Sequence, residues 1–176
     1  MKERSLVALL AVVVLLCVAS GLNAAETGEN DLDFLVGFWS GSGSGNPGTG
    51  SGSFSFTREL GDRILTRRAH SEYPATEGRP AVTHDDLLIV YSEGSKAIYF
   101  DNEGHVIHYE VQVTPNPRTA TFLSSDPPPS PRFRLTYTQV AGNGLEILFE
   151  ISPTGDLGDF KTYLEGTVTK QTGGAR

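Results

Sequence analysis

The sequence predicts an all-β protein in which about ten antiparallel strands form an up-and-down barrel, preceded by one short N-terminal helix. Three observations predict this fold. Short runs rich in β-branched and aromatic residues recur at roughly 8–14-residue spacing, separated by turn signals. Beyond residue 37 no helical periodicity exceeds one turn. Glycine is abundant, at 20 of 176 residues. A closed barrel is favoured over a sandwich because closure removes the exposed sheet edges.

The first 25 residues have the pattern of a secretory signal peptide. Lys2 and Arg4 precede an apolar run over 6–18, and small residues follow at the end of the segment. The run is shorter than the roughly 20 residues that a membrane-spanning helix needs. We therefore expect cleavage before Glu26, a secreted or periplasmic protein, and no membrane span after cleavage. An uncleaved membrane anchor is the alternative.

Composition narrows the chemistry and the partners. Cys17 is the single cysteine, so cleavage leaves a chain without disulfides, thiolate metal sites or a cysteine nucleophile. A lipoprotein acylated at Cys17 is a further alternative. The formal net charge is −7 and there is no basic run, which makes nucleic acid an unsuitable partner.

The mature chain reads as a flexible lead-in over 26–30 and a single barrel domain over 31–176. Asn30 or Asp31 can cap a short helix over 31–36, and Gly37 ends it. The predicted strands cover 38–45, 51–60, 64–74, 83–92, 97–102, 105–113, 118–124, 132–140, 145–152 and 160–170.

The first predicted strand carries alternating glycines. Gly37-Phe38-Trp39 resembles the G-x-W signature that opens calycin barrels such as lipocalins. The longer pattern over 35–45 resembles the opening of nitrobindin-like haem-binding β-barrels and related secreted barrels of unknown function. The resemblance implies a ten-stranded barrel around a partly apolar cavity, with Trp39 at its floor and a small ligand inside. In the haem-binding members a late histidine holds the iron. Here no histidine follows His108, so we expect neither haem nor another cofactor.

Glycine on one face of a strand has two interpretations. It lets a flat ligand approach the backbone closely, or it lets the strand bend at a barrel corner with no ligand involved. The sequence leaves both open.

Two neighbouring strands carry histidines and carboxylates. If they pair about a loop centred near Gly78, then Glu72 faces His84, His70 faces Asp86, and all four side chains share one face. Such a set suits a ligand contact, acid–base chemistry or a divalent metal ion, or it forms surface ion pairs. We predict a ligand contact and no metal. A register slip of one residue would separate the set.

A hairpin over 99–109 has two possible registers. A two-residue turn places Tyr99 opposite His108, whereas a three-residue turn places Asp101 opposite His105. The face that carries Tyr109 is apolar and is predicted to point inward.

Three functions are compatible with the sequence. The first is a barrel that binds a small apolar molecule. The second is an envelope interaction protein whose outer face or proline-rich loop over 127–131 meets a partner. The third is an enzyme that uses His70 or His84 with Glu72 and Asp86 as acid–base groups. The predicted lining residues are Trp39, Arg67, Tyr73, Tyr99, Tyr109, Phe133, Tyr137 and Phe149, together with the His70, Glu72, His84 and Asp86 set.

Overall fold

The protein is a closed, ten-stranded antiparallel barrel. In the computed structural model, which describes residues 29–172, each strand pairs with its neighbours along the chain, and the first strand also pairs with the last. The strands are β1 (Gly37–Gly45), β2 (Gly50–Glu59), β3 (Ile64–Tyr73), β4 (Val82–Tyr91), β5 (Lys96–Asp101), β6 (Val106–Pro115), β7 (Arg118–Ser124), β8 (Arg132–Val140), β9 (Gly144–Ser152) and β10 (Lys161–Lys170). The predicted all-β barrel and its strand number are confirmed.

The short N-terminal helix is a correction to the sequence prediction. The segment expected to be helical over 31–36 belongs to a single 3-10 helix, Glu29–Leu35, which begins inside the predicted lead-in. The expected signal peptide over 1–25 lies outside the described residues. Within 29–172, no helix has the length and apolar character needed to cross a membrane.

One end of the barrel is closed by the 3-10 helix and by aromatic side chains. Trp39 is 2% exposed, and its indole N–H donates a 2.7 Å hydrogen bond to the backbone carbonyl of Leu35. Leu32 and Leu35 are also fully buried in the same core. The expected burial of Trp39 at the barrel floor is therefore confirmed.

The register between β3 and β4 differs from the predicted one by a single residue. Ser71 is opposite His84 and Glu72 is opposite Thr83. The cause lies in the connecting loop, where Thr76 and Arg79 exchange two backbone hydrogen bonds of 2.9 and 3.0 Å. The turn between them has two residues, and Gly78 adopts the left-handed φ of 81° there. The hairpin is thus centred between residues 77 and 78 rather than on 78.

The β5–β6 hairpin follows the three-residue alternative. Tyr99 is opposite Ile107 and Phe100 is opposite Val106, a register that brings Asp101 to His105. The Asp101 carboxylate accepts hydrogen bonds from the backbone N–H groups of Glu103 and His105, which fixes the turn.

The glycines of β1 allow the barrel to close. A Cβ atom on Gly41 would overlap the carbonyl oxygen of Thr167 on β10, and one on Gly43 would lie 2.6 Å from that of Glu165. These atoms belong to the neighbouring strand, not to the lumen. The barrel-corner interpretation accounts for the close approach, although both glycines also border the cavity.

Candidate functional site

The barrel encloses a cavity of about 660 Å³ that opens at the end opposite the 3-10 helix. This volume lies within the range of small-molecule sites, roughly 300–1,000 Å³. Loop residues Asn46, Arg79 and Glu103 stand at its mouth. The cavity is therefore open to solvent through the loops and closed at the base by the aromatic core.

The two halves of the cavity wall differ in chemistry. In the strand order β4 and β9 are five strands apart in both directions, so they face each other across the lumen. The wall around β9 is apolar, and the wall around β4 is polar. The apolar wall contains Phe133, Leu135, Ile147, Phe149, Ile151 and Leu164, and the polar wall contains Arg67, Ser71, His84, Asp86, Tyr99 and Asp101. A ligand in this lumen meets an apolar surface on one side and hydrogen-bonding groups on the other.

A buried ion pair stands at the closed end of the polar wall. Arg67 donates hydrogen bonds to the Asp86 carboxylate and to the Tyr137 hydroxyl. The two charged side chains are only 7% and 8% exposed. Tyr109 lines the cavity beside them, and we call Arg67, Asp86, Tyr109 and Tyr137 the polar base.

Hydrogen bonds connect the polar wall to the mouth. The His84 Nε2 lies 2.9 Å from the Tyr99 hydroxyl and 3.9 Å from the Asp86 Oδ2. The Tyr99 hydroxyl donates to Asp101 at 3.3 Å, and Asp101 lies 2.8 Å from the Nδ1 of His105. A line of titratable groups thus runs from the exposed His105 to the polar base.

The surroundings shift the pKa values of Arg67 and of the tyrosines around it. Burial opposes the charge of Arg67, but Asp86 and Tyr137 overcome this and raise the pKa of the guanidinium above its ordinary value. Burial also raises the pKa values of Tyr99, Tyr109 and Tyr137. The three phenols therefore remain protonated and able to donate hydrogen bonds at neutral pH.

Asp101 behaves differently from the buried phenols. Burial alone would raise its pKa, but hydrogen bonds from the backbone and side chain of His105 outweigh that effect, and the pKa is lowered. The carboxylate stays ionised and accepts hydrogen bonds from the turn that borders the mouth.

The predicted site residues divide between the lumen and the outer surface. Because of the one-residue register difference, the predicted four-residue set does not form. His84 and Asp86 line the cavity, whereas His70 lies on the outer face, where its ring nitrogens contact Asp85 at 2.7 Å and Glu72 at 3.2 Å. These two contacts raise the pKa of His70.

The remaining predicted residues lie mostly on the inner face. The cavity is lined by Arg67, Tyr73, Tyr99, Tyr109, Phe133, Tyr137 and Phe149. Trp39 lies beneath the lumen, stacked against Phe54 with ring centroids 6.3 Å apart. It supports the floor of the cavity and does not line it.

Tyr163 is a lining residue that the sequence analysis missed. The pairing of β10 with β9 shifts between Thr162 and Leu164, so that two consecutive residues, Tyr163 and Leu164, border the cavity. A β-bulge of this kind breaks the in–out alternation on which the prediction depends. The Tyr163 ring packs edge-on against Phe149 at 5.9 Å.

Within residues 29–172, no three His, Cys, Asp or Glu side chains are grouped so as to hold a metal ion. The split of His70 and Glu72 from His84 and Asp86 is the reason that the candidate set considered above does not form one.

Comparison with known proteins identifies the fold. No family model matches the chain, and no curated protein matches it. Among solved structures it is similar to Rv2717c from M. tuberculosis, with a TM-score of 0.56 and 13% identity over 81% of this chain and 96% of that one. At this identity the similarity shows the fold alone, a calycin-like barrel.

Two further barrels are less similar. EF1p2_mFAP2b, solved bound to DFHBI, gives a TM-score of 0.39 and 9% identity over 81% of this chain and 98% of its own. A de novo designed fluorescence-activating beta barrel gives a TM-score of 0.31 and 13% identity over 78% of this chain and 94% of its own.

Proposed function

We propose that this protein is a small-molecule-binding barrel that holds a mostly apolar ligand in its lumen. The observation that carries the proposal is the cavity of about 660 Å³, with Phe133, Ile147 and Phe149 on one wall and fixed polar groups on the other. Ligand sites combine a largely apolar lining with a few placed polar groups in this way. The longer pattern of Trp39 and alternating glycines over 35–45 supports a place among nitrobindin-like barrels.

The test is to identify what co-purifies with the protein. Native mass spectrometry of protein isolated from its own host should show an added mass that disappears on denaturation. Ser71→Trp fills the lumen from the inner face of β3 and should abolish the added mass. Arg68→Trp, which is exposed on the same strand, is the matched control and should retain it. If native protein carries no added mass, and Ser71→Trp and Arg68→Trp bind apolar probes equally well, the proposal fails.

We infer further that the chain acts outside the cytoplasm. The charged start, the apolar run over 6–18 and the small residues before Glu26 support secretion or export to the periplasm. Sequencing the N-terminus of protein from its host should give Glu26, and an intact Met1 in a membrane fraction would contradict this inference.

Haem is not the ligand that we propose. Of the histidines, His84 and His105 line the cavity. Both nitrogens of His84 already have partners, Tyr99 at 2.9 Å and Glu103 at 3.2 Å. An axial bond to iron would require one of them to break. Titration with haemin should leave the Soret band without a sharp stoichiometric shift; a shift that disappears when any one of the four histidines is replaced by alanine would overturn this.

A further inference from the structure

Several polar atoms of the polar base have no hydrogen-bond partner in the described part of the chain. Tyr109 is 3% exposed and lines the cavity, yet its hydroxyl makes no hydrogen bond within residues 29–172. Asp86 uses Oδ1 for Arg67, while its Oδ2 accepts no hydrogen bond within residues 29–172 and lies 3.9 Å from the His84 Nε2. The buried Nε of Arg67 also lacks a partner among the described residues. Buried polar groups are rarely left unpaired. Among the described residues the Arg67 Nε is sealed from solvent, whereas the Tyr109 hydroxyl and the Asp86 Oδ2 keep access to the cavity and are the atoms that a ligand can reach.

These atoms differ in whether they donate or accept hydrogen bonds. The Tyr109 hydroxyl, protonated because burial raises its pKa, can donate a hydrogen bond. The Asp86 Oδ2, in contrast, can only accept. A single group in the cavity that both accepts and donates can pair with the Tyr109 hydroxyl and with the Asp86 carboxylate.

The charges at the polar base already balance. Arg67 and Asp86 form an ion pair, so a ligand carboxylate there would face Asp86 and a ligand ammonium would face Arg67. An added buried charge without a counter-ion is strongly disfavoured. The head group that fits is therefore uncharged.

We propose that the polar base binds a neutral head group that both donates and accepts hydrogen bonds, a hydroxyl or a primary amide, on an otherwise apolar ligand. The apolar body then lies against Phe133, Ile147 and Phe149 on the opposite wall. This inference rests on the proposed function and deepens it, since it selects neutral amphipathic molecules over fatty carboxylates and organic cations.

The test uses four probes with the same aromatic body: naphthol, methylnaphthalene, naphthoate and naphthylmethylammonium, all substituted at the same ring position. Their dissociation constants are measured at pH 7 by calorimetry and by probe fluorescence. Naphthol should bind at least tenfold more tightly than methylnaphthalene, about 1.4 kcal/mol. The anion and the cation should both bind more weakly than naphthol.

Tyr109→Phe gives the discriminating variant. It removes a hydroxyl that has no partner in the described chain and keeps the ring packed against Phe122, so the fold should be retained. We expect the affinity for naphthol to fall to within threefold of the affinity for methylnaphthalene, which should not change. Tyr91→Phe, on the outward-facing side of β4, is the matched control and should change neither of the two affinities.

The outcomes separate the two proposals. If all four probes bind equally, or if naphthoate binds best, the neutral head-group site is refuted while the binding function stands. If naphthol is preferred but Tyr109→Phe leaves that preference intact, the assignment to the polar base is refuted. If no probe binds the wild-type barrel, both proposals fail.

Discussion

Removing the charge of Asp86 should destabilise the barrel severely. Asp86→Asn keeps the size of the side chain but leaves the Arg67 guanidinium buried without its counter-ion, at 7% exposure. Breaking a buried ion pair by removing one partner costs about 3–5 kcal/mol of unfolding free energy. Because the lumen opens to solvent, we expect a loss near the lower end, about 3 kcal/mol. For a domain of this size that corresponds to a fall in melting temperature of roughly 6–12 °C.

The assay is urea unfolding followed by the fluorescence of Trp39, the only tryptophan in the chain. Asp85→Asn is the matched control, because Asp85 is the next residue along β4 and contacts the exposed His70 on the outer face. Its loss should cost less than about 1 kcal/mol.

A double variant tests the cause of the loss. If the uncompensated charge of Arg67 is responsible, Arg67→Met combined with Asp86→Asn should be less destabilised than Asp86→Asn alone. A cost below about 1 kcal/mol for Asp86→Asn, or a double variant that is worse than the single one, would refute the reasoning.

Three further predictions concern the floor of the barrel, the pairing of β1 with β10 that closes it, and the mouth. Trp39→Ala should cost about 3–5 kcal/mol in urea unfolding, since it deletes a buried indole that bonds Leu35; a loss below about 1 kcal/mol would contradict its place in the core. Gly41→Ala should destabilise the barrel more than Gly158→Ala, because a Cβ at Gly41 overlaps Thr167 whereas one at Gly158 makes only an ordinary 3.5 Å contact with the Asp156 carboxylate; an equal or smaller loss would contradict the close approach of β1 to β10. Because the pKa of Asp101 is lowered, its ionised carboxylate stabilises the fold fully above the unfolded pKa of about 3.9. This stabilisation is lost as the pH falls through the lower folded pKa. The stability gap between wild type and Asp101→Asn should therefore narrow in unfolding curves recorded from pH 6 down to pH 2, and a constant gap would contradict this.

The sequence was sufficient for the strands and insufficient for the register. Turn signals and runs of β-forming residues marked all ten strands, because both are local properties of the chain. The β3–β4 pairing depends on whether the connecting turn has an even or an odd number of residues. The even turn at residues 77–78 places His70 and Glu72 on the outer face, away from His84 and Asp86.

The lining residues were predictable only where the alternation is regular. The inward direction of Tyr109 follows from the apolar face of its strand. Tyr163 could not be found in the same way, because the bulge in β10 places it and Leu164 on the lumen together. A bulge depends on pairing with β9, and no local pattern in the sequence marks it.

The mixed faces of β3 carry the clearest functional signal in the chain. At the closed end of β3 the inner face carries Leu65, which is buried in the apolar core. Towards the mouth the inner face changes to Arg67, Ala69 and Ser71, which would weaken an ordinary core. Arg67 is stable there because Asp86, on the neighbouring strand, and Tyr137, across the lumen, hold it. Polar groups held inside at this cost, with donors and an acceptor left unpaired in the described chain, are expected where a barrel keeps a place for a ligand.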